Sequence, residues 1–404
     1  MNTVAILSQP KSKTSAQKYG RISSIDALRG FVMVIMALDH TRDFMHLNGM
    51  FYDPTDLTTT TPALFLTRLL THICAPTFVF LSGVSAYLSG QKKSRGQLIW
   101  FLFSRGLWMI LLELSVLNFA FWFDPTLSQI QLQVMWAIGV SMIVLSGLVL
   151  LPWRLTLLIG LTIVVGHNAL DTMHVPLDSS WYILWTILHE PAQIRLSPDL
   201  TLSVLYPVLP WIGIMVLGYS AGRLFHRNVA PDRRKGALLT IGLAALISFV
   251  FLRLNNTYGD PIAWSFQPTV LFTLLSFLNV TKYPPSLLYA LLTLGTALLL
   301  LCRLEIKPNR WINVLTTYGQ VPLFYYIVHF YVLHLLAVLQ LLAVGYSWTA
   351  INFQNGTGGI PKGEGVSLGA TYLIWLALVV SLYPACRWYS HFKSRQTREI
   401  WSYL

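Results

Sequence analysis

Charge is what this sequence has least of. Only 11% of its 404 residues are charged, while 54% are hydrophobic and the mean hydropathy is +0.58. An ordinary soluble domain is about a quarter charged, so a water-soluble fold is excluded. Acidic residues are the scarcest: 16 Asp and Glu stand against 28 Lys and Arg, for a formal net charge of +12. That excess would suit nucleic acid, but the cations sit mostly in short segments between apolar runs, where they orient a membrane protein. No nucleic-acid partner is expected.

Cysteine is also rare. Cys74, Cys302 and Cys386 are isolated, with no CxxC or Cys/His spacing, so neither a disulfide framework nor a metal site is expected. No HExxH, GxSxG or Walker pattern occurs, which removes zinc protease, serine hydrolase and P-loop readings. The opening stretch, MNTVAILSQPKSKTSAQKYGR, has no apolar core or small-residue cleavage site and reads as a cytoplasmic tail.

What is present is a series of apolar runs long enough to cross a bilayer. We expect an all-α, polytopic membrane bundle of about ten spans, or about eleven if every apolar run crosses. The spans run from about Ser24 to Phe44, Ala63 to Gly90, Leu98 to Phe123, Leu132 to Leu151 and Leu155 to Leu170. They continue from Val204 to Phe225, Ala237 to Leu254, Leu287 to Cys302, Leu315 to Val344 and Val366 to Trp388. With both termini cytoplasmic, the inner segments collect most of the Lys and Arg, including Lys92, Lys93, Arg154, Arg227, Arg234 and Lys307. The outer loops keep only Arg195, Lys282 and Lys362. The run from Thr269 to Val280 is too short for a span and is expected to be re-entrant or interfacial. The expected organisation is a tail over 1–22, one membrane domain over 23–390 and a second cytoplasmic tail over 391–404.

The first span is the exception to the scarcity of charge. RISSIDALRGFVMVIMALDHTRDFMH holds Asp26, Arg29, Asp39, His40, Arg42 and Asp43 within an apolar helix, and intramembrane ionisable groups point to function. At about 1.5 Å and 100° per residue, Asp26 lies roughly 21 Å below His40. Asp26, Arg29, Asp39, His40 and Asp43 share an arc of about 140°, and only Arg42 points elsewhere. Asp26 and Arg29 are spaced to pair; Asp39 and Asp43 flank His40 and suit it as a general base. Ion pairs that merely hold helices together are the alternative for each group.

Elsewhere, His72 precedes Pro76, which should kink the second span, and small residues there suit close helix contact. Arg105 and Glu113 in the third span read as interhelical pairs. YGQVPLFYYIVHFYVLH puts His329 near the midplane beside Tyr325 and Tyr326, where it must face protein or water.

RISSIDALRGFVMVIMALDH, PTFVFLSGVS, LQVMWAIGVSMI, VLPWIGIMVLGYSAGRLF, KYPPSLLYALLTLG and PLFYYIVHFYVLH together resemble the heparan-α-glucosaminide N-acetyltransferase catalytic domain family, in its bacterial branch. The resemblance implies a transmembrane acyltransferase in the inner membrane, with acetyl-CoA as donor and no metal. Its acceptor would be an amino sugar or related glycan on the outer face. Beside the resemblance, His40, Asp39, Asp43 and His329 are the catalytic candidates, and His46 competes with His40 for the proton. His46, His72 and Lys282 are candidates for binding the acceptor, and Asp26, Arg29, Arg223 and Arg303 for meeting CoA at the inner mouth. Direct attack on the thioester and a ping-pong route through acetyl-histidine both stay open. A transporter or flippase for a sugar or lipid-linked substrate is the competing class. Monomer and homodimer are equally open.

Overall fold

A computed structural model describes residues 22–305 and 309–396. The expected 1–22 tail, apart from Ile22, and the end of the 391–404 tail lie outside the described residues, as does Lys307. The chain is a multi-pass helical membrane protein, in which eight helical segments among the described residues are long and apolar enough to cross a bilayer.

Helix α1 (Ser23–Met45) is the central element: its neighbours bury it on nearly every side, charged residues included. After it, Thr61 caps α2 (Pro62–Thr71), with Pro62 at the first helical position, and the chain kinks before α3 (Cys74–Gly90). The sequence predicts one kinked span here, and Pro62–Gly90 is one span-length segment, since His72 and Ile73 keep helical backbone geometry. The kink falls at His72 and Ile73 because Pro76 has no N–H for the His72 carbonyl. That carbonyl accepts the Tyr289 hydroxyl instead, at 2.7 Å.

A reciprocal Ser94–Gln97 capping box opens α4 (Arg95–Leu112), which passes through a π-turn (Glu113–Leu117) into α5 (Asn118–Trp122). Next come α6 (Val134–Leu148), α7 (Trp153–Gly166), a short α8 (Tyr182–Leu188) and α9 (Val208–Ala221). The longer α10 (Pro231–Asn255) follows. Helix α11 (Val270–Leu278) has only nine residues, too short to cross. Its last carbonyls are capped by Arg253, whose guanidinium donates to Ser276 (3.1 Å), Phe277 (3.0 Å) and Asn279 (2.5 Å).

The final four helices are α12 (Leu287–Leu304), α13 (Arg310–Gln320), α14 (Pro322–Val344) and α15 (Leu368–Arg395). The single long run expected from Leu315 to Val344 is therefore two helices. Proline disfavours helical geometry in the residue before it, and Val321, at φ −130° and ψ 48°, turns the chain ahead of Pro322.

The all-α expectation needs one further correction. Strands β1 (Gln129–Leu132), β2 (Ala192–Ser197) and β3 (Leu200–Val204) form a small sheet in the order β1-β3-β2. β1 pairs parallel to β3 and β2 antiparallel to it. The sheet ties together loops that the apolar runs leave between helices, and β1 leads into α6.

Glycine pairs bring the helices into backbone contact. A Cβ on Gly30 of α1 would lie 1.8 Å from the Leu315 carbonyl, and one on Gly319 of α13 would lie 1.8 Å from the Asp26 carbonyl. Gly83 and Gly218 do the same between α3 and α9. Such contacts are the main source of helix association in lipid, where the hydrophobic effect between helices is absent.

Candidate active site along the first helix

The last two turns of α1 face a cavity of about 430 Å³ lined by Asp39, His40, Arg42 and Asp43, by Arg68 of α2, and by Lys282 from the loop before α12. Asp39 is enclosed by guanidinium groups. Arg42 donates to it at 3.1 Å, Arg68 makes a second ion pair with it, and Arg42 also reaches Asp43 at 2.5 Å. Arg42 therefore does not point away from the polar face, as the helical projection predicted. Its side chain is long enough to fold back over one turn, and a buried carboxylate without a cation would be costly.

His40 Nδ1 lies 3.5 Å from Asp43 Oδ2, and no hydrogen bond satisfies that nitrogen. Asp43 is thus the carboxylate beside the imidazole, while Asp39 is committed to two arginines. Behind His40 stand the rings of Phe330 (4.2 Å between centroids) and His329 (5.3 Å). His329 is fully buried, and its Nδ1 lies 2.9 Å from the Tyr325 carbonyl. A carbonyl only accepts, so Nδ1 carries the proton and Nε2 is left as a bare lone pair, with no partner among the described residues.

The other histidines lie elsewhere. His72 sits buried at the α2–α3 kink, its ring edge-on to Tyr289 at 5.5 Å. His46 follows the end of α1, where its Nδ1 donates to the Val366 carbonyl at 3.0 Å. Burial pushes the His46 pKa below its ordinary value of 6.5, against the opposing pull of that carbonyl. Neither residue lines the His40 cavity. His334 places both ring nitrogens against carbonyls, Ala120 at 2.9 Å and Gly358 at 2.8 Å, and pins a glycine-rich loop to the helices.

At the opposite end of α1, Arg29 contacts Asp26 (3.2 Å), the Ser85 hydroxyl (2.9 Å) and the Gly319 carbonyl (3.4 Å). It borders two cavities. One, of about 360 Å³, runs inward between a serine row on α3 (Ser82, Ser85, Ser89) and a wall of methionines, including Met33, Met109 and Met142. The other opens at the protein surface and includes Asp26, Lys92, Lys93 and Arg227. Arg223 and Arg303 are not in either lining. Arg223 lies over the Trp153 ring at 4.5 Å, because the turn after α9 faces α7 there, and Arg303 is exposed at the end of α12.

The inner cavity and the His40 cavity share four lining residues: Met36, Phe78, Val134 and Tyr326. These side chains form a septum between the two ends of α1. Among the described residues, no group of three or more His, Cys, Asp or Glu is placed to hold a metal ion.

Two residues at this site went unmarked in the sequence reading. Arg68 could have been found as a lone cation in the apolar run ALFLTRLL, four residues before His72. Tyr326 carried no signal beyond its neighbour His329, since an aromatic in an apolar run is ordinarily core.

The family described as "Heparan-alpha-glucosaminide N-acetyltransferase, catalytic" matches residues 21–246, more than half of the chain. No curated protein matches it. The matched segment includes α1 to α9 and all of the ionisable residues of α1; α14, which supplies His329, lies beyond it. A bundle built around that charged helix, and the match across it, make this chain a member of the heparan-alpha-glucosaminide N-acetyltransferase catalytic family, an acetyltransferase in a multi-pass membrane fold.

Proposed function

We propose that this protein carries an acetyl group from acetyl-CoA at the cytoplasmic face to an amino sugar at the outer face of the inner membrane, within one membrane domain spanning residues 23–390. One observation carries the reading: along α1 the His40 cavity meets a second cavity at a single septum, and that second cavity shares Arg29, Ser85 and Ser89 with a cation-lined cavity at the surface. Lys92, Lys93, Arg227 and Arg29 suit the phosphates of CoA. The serine row facing methionines offers one polar and one apolar wall to an extended arm that is itself mixed in polarity.

In the outer cavity, His40 acts as the base. Asp43 favours a proton on His40 Nδ1, so Nε2 is the nitrogen that receives one. His40 takes the proton of the acceptor amine as the nitrogen attacks the thioester carbon. The C–N bond forms, the C–S bond breaks, and His40 returns the proton to the departing thiolate. Arg42 and Arg68 hold Asp39, which fixes the end of α1 and with it the position of His40. The family match does not favour a transporter.

The test is acetyl transfer by the purified protein to a panel of amino sugars. His40→Ala should lower kcat by about 100- to 10,000-fold, the usual contribution of a general base. Full activity in that variant, with normal folding, would remove His40 from the mechanism.

A further inference from the structure

Of the four side chains that form the septum along α1, Met36, Phe78 and Val134 are apolar. The fourth, Tyr326 of α14, is the only one with a hydrogen-bonding group. The residue is almost completely buried. Its ring is held edge-on by Phe330 (5.1 Å between centroids, 73°) and by His40 (6.3 Å, 78°). Its hydroxyl makes no hydrogen bond among the described residues. Nor is that oxygen sealed inside the protein, as the unpartnered Tyr325 hydroxyl beside it is. It therefore opens on the cavities that its ring lines.

The other donors near the septum are engaged. Arg42 is paired with Asp39 and Asp43, Arg68 with Asp39, and Lys282 with the Tyr283 side chain. All three line the outer cavity only, where Asp39, Asp43 and Asp53 balance them, so no cation there is in excess. On the inner side, Arg29 is held by Asp26, Ser85 and the Gly319 carbonyl. The start of α6 brings backbone N–H groups to the septum beside Val134, but Glu113 accepts from the next two, those of Met135 and Trp136. Tyr326 is left as the side-chain donor common to both cavities.

We propose that Tyr326 is a catalytic residue, the hydrogen-bond donor to the thioester carbonyl oxygen at the septum. The proposal rests on the acyltransferase reading, which brings the acetyl group to the septum with His40 on its outer side. As the amine nitrogen adds to the carbonyl carbon, the π pair moves onto oxygen, and the Tyr326 O–H donates to that oxygen while keeping its own proton. When the pair returns, the C–S bond breaks and the oxygen is a neutral carbonyl again. The edge-on contact of the two rings lets base and donor serve one carbonyl from adjacent positions. A donor fixed by packing before the charge appears needs no reorganisation as the charge develops, which is why such donors weigh heavily in acyl transfer.

The experiment uses the full-length protein in detergent, with acetyl-CoA as donor and the amino sugar acetylated fastest in the panel as acceptor. Tyr326→Phe keeps the ring and should lower kcat by about 100- to 1,000-fold, as loss of one oxyanion donor does, with KM for acetyl-CoA nearly unchanged. Infrared difference spectra of bound, isotope-labelled acetyl-CoA give a readout without turnover. The carbonyl band should lie at lower frequency in the unaltered protein than in Tyr326→Phe. Met36→Leu, which alters septum packing but no donor, should leave the band where it is. Equal kcat in Tyr326→Phe, or the same band with and without the hydroxyl, would overturn the proposal. So would a loss confined to KM, or a band that moves equally in Met36→Leu, since either would make Tyr326 only part of the wall. Full transfer by Tyr326→Phe removes this proposal alone, whereas no transfer by the unaltered protein to any amino sugar removes the acyltransferase reading and the proposal with it.

Discussion

At the scale of single residues, the decisive fact about α1 is how the two carboxylates of its last two turns divide their work. Both flank His40 in sequence, yet Asp39 is taken by Arg42 and Arg68, and Asp43 remains beside the imidazole. The pattern DHTRD marked the cluster but not the division, because Arg68 arrives from another helix. His46 is separated from His40 in the same way. It bonds Val366 and joins the end of α1 to the loop before α15. Burial holds its pKa below 6.5, so the folded protein binds fewer protons than the unfolded chain just below that pH. The stability His46 contributes should thus be complete above about pH 6.5 and decline as pH falls towards its folded value. Thermal unfolding between pH 5 and 8 checks this: His46→Gln should flatten the acid side of the profile while leaving the neutral side nearly unchanged. An unaltered acid limb would show that the latch does not titrate.

Among the helices, close contact and proline decide the outcome more than hydropathy does. The apolar runs placed α7 and α12 to within four residues, but they began six residues into α10, stopped seven residues before the end of α15, and merged α4, the π-turn and α5 into one run. They did show the kink between α2 and α3, which stay one span-length segment, but not that α13 and α14 separate at Val321. Pro322 directly follows that break, but a proline inside an apolar run is equally compatible with a kink. The break after α13 matters for the site, since it lets α13 lie against Gly30 while α14 brings Tyr326 and His329 to the septum and His40. Val134, at the start of α6, is held there by Glu113, whose carboxylate accepts from the Met135 and Trp136 N–H groups at 2.9 and 3.1 Å. Filling the septum should stop transfer without emptying the inner cavity. Val134→Phe is expected to lower acetyl transfer about a hundredfold, as misplacement of reacting groups commonly does, while CoA still stabilises the protein in a thermal shift. Loss of the CoA shift together with activity would place the septum inside the donor site.

For the molecule as a whole, the consequence is sidedness. Lys92, Lys93 and Arg227 stand at one mouth, and His40 and Lys282 line the cavity at the other end of α1. In sealed vesicles, acetyl-CoA should support transfer only when it is supplied on the face bearing Lys92, Lys93 and Arg227, with product appearing on the opposite face. Equal rates from either side would mean that both substrates reach the site from one surface.

The sequence by itself determined the class of molecule, a helical bundle crossing the membrane many times, and singled out α1 as its candidate functional helix. Composition and run length suffice for the first, because a lipid solvent permits few spanning structures. The second follows from the cost of charge in that solvent. Only the tertiary structure decided which charges meet. Arg68, Lys282, His329 and Tyr326 come from segments far apart in the chain, and no periodicity within one helix records which side chain of another will face it. The grouping of Arg29 with Lys92, Lys93 and Arg227, rather than with Arg223 and Arg303, was decided in the same way, by where neighbouring helices end and which way their last turns face.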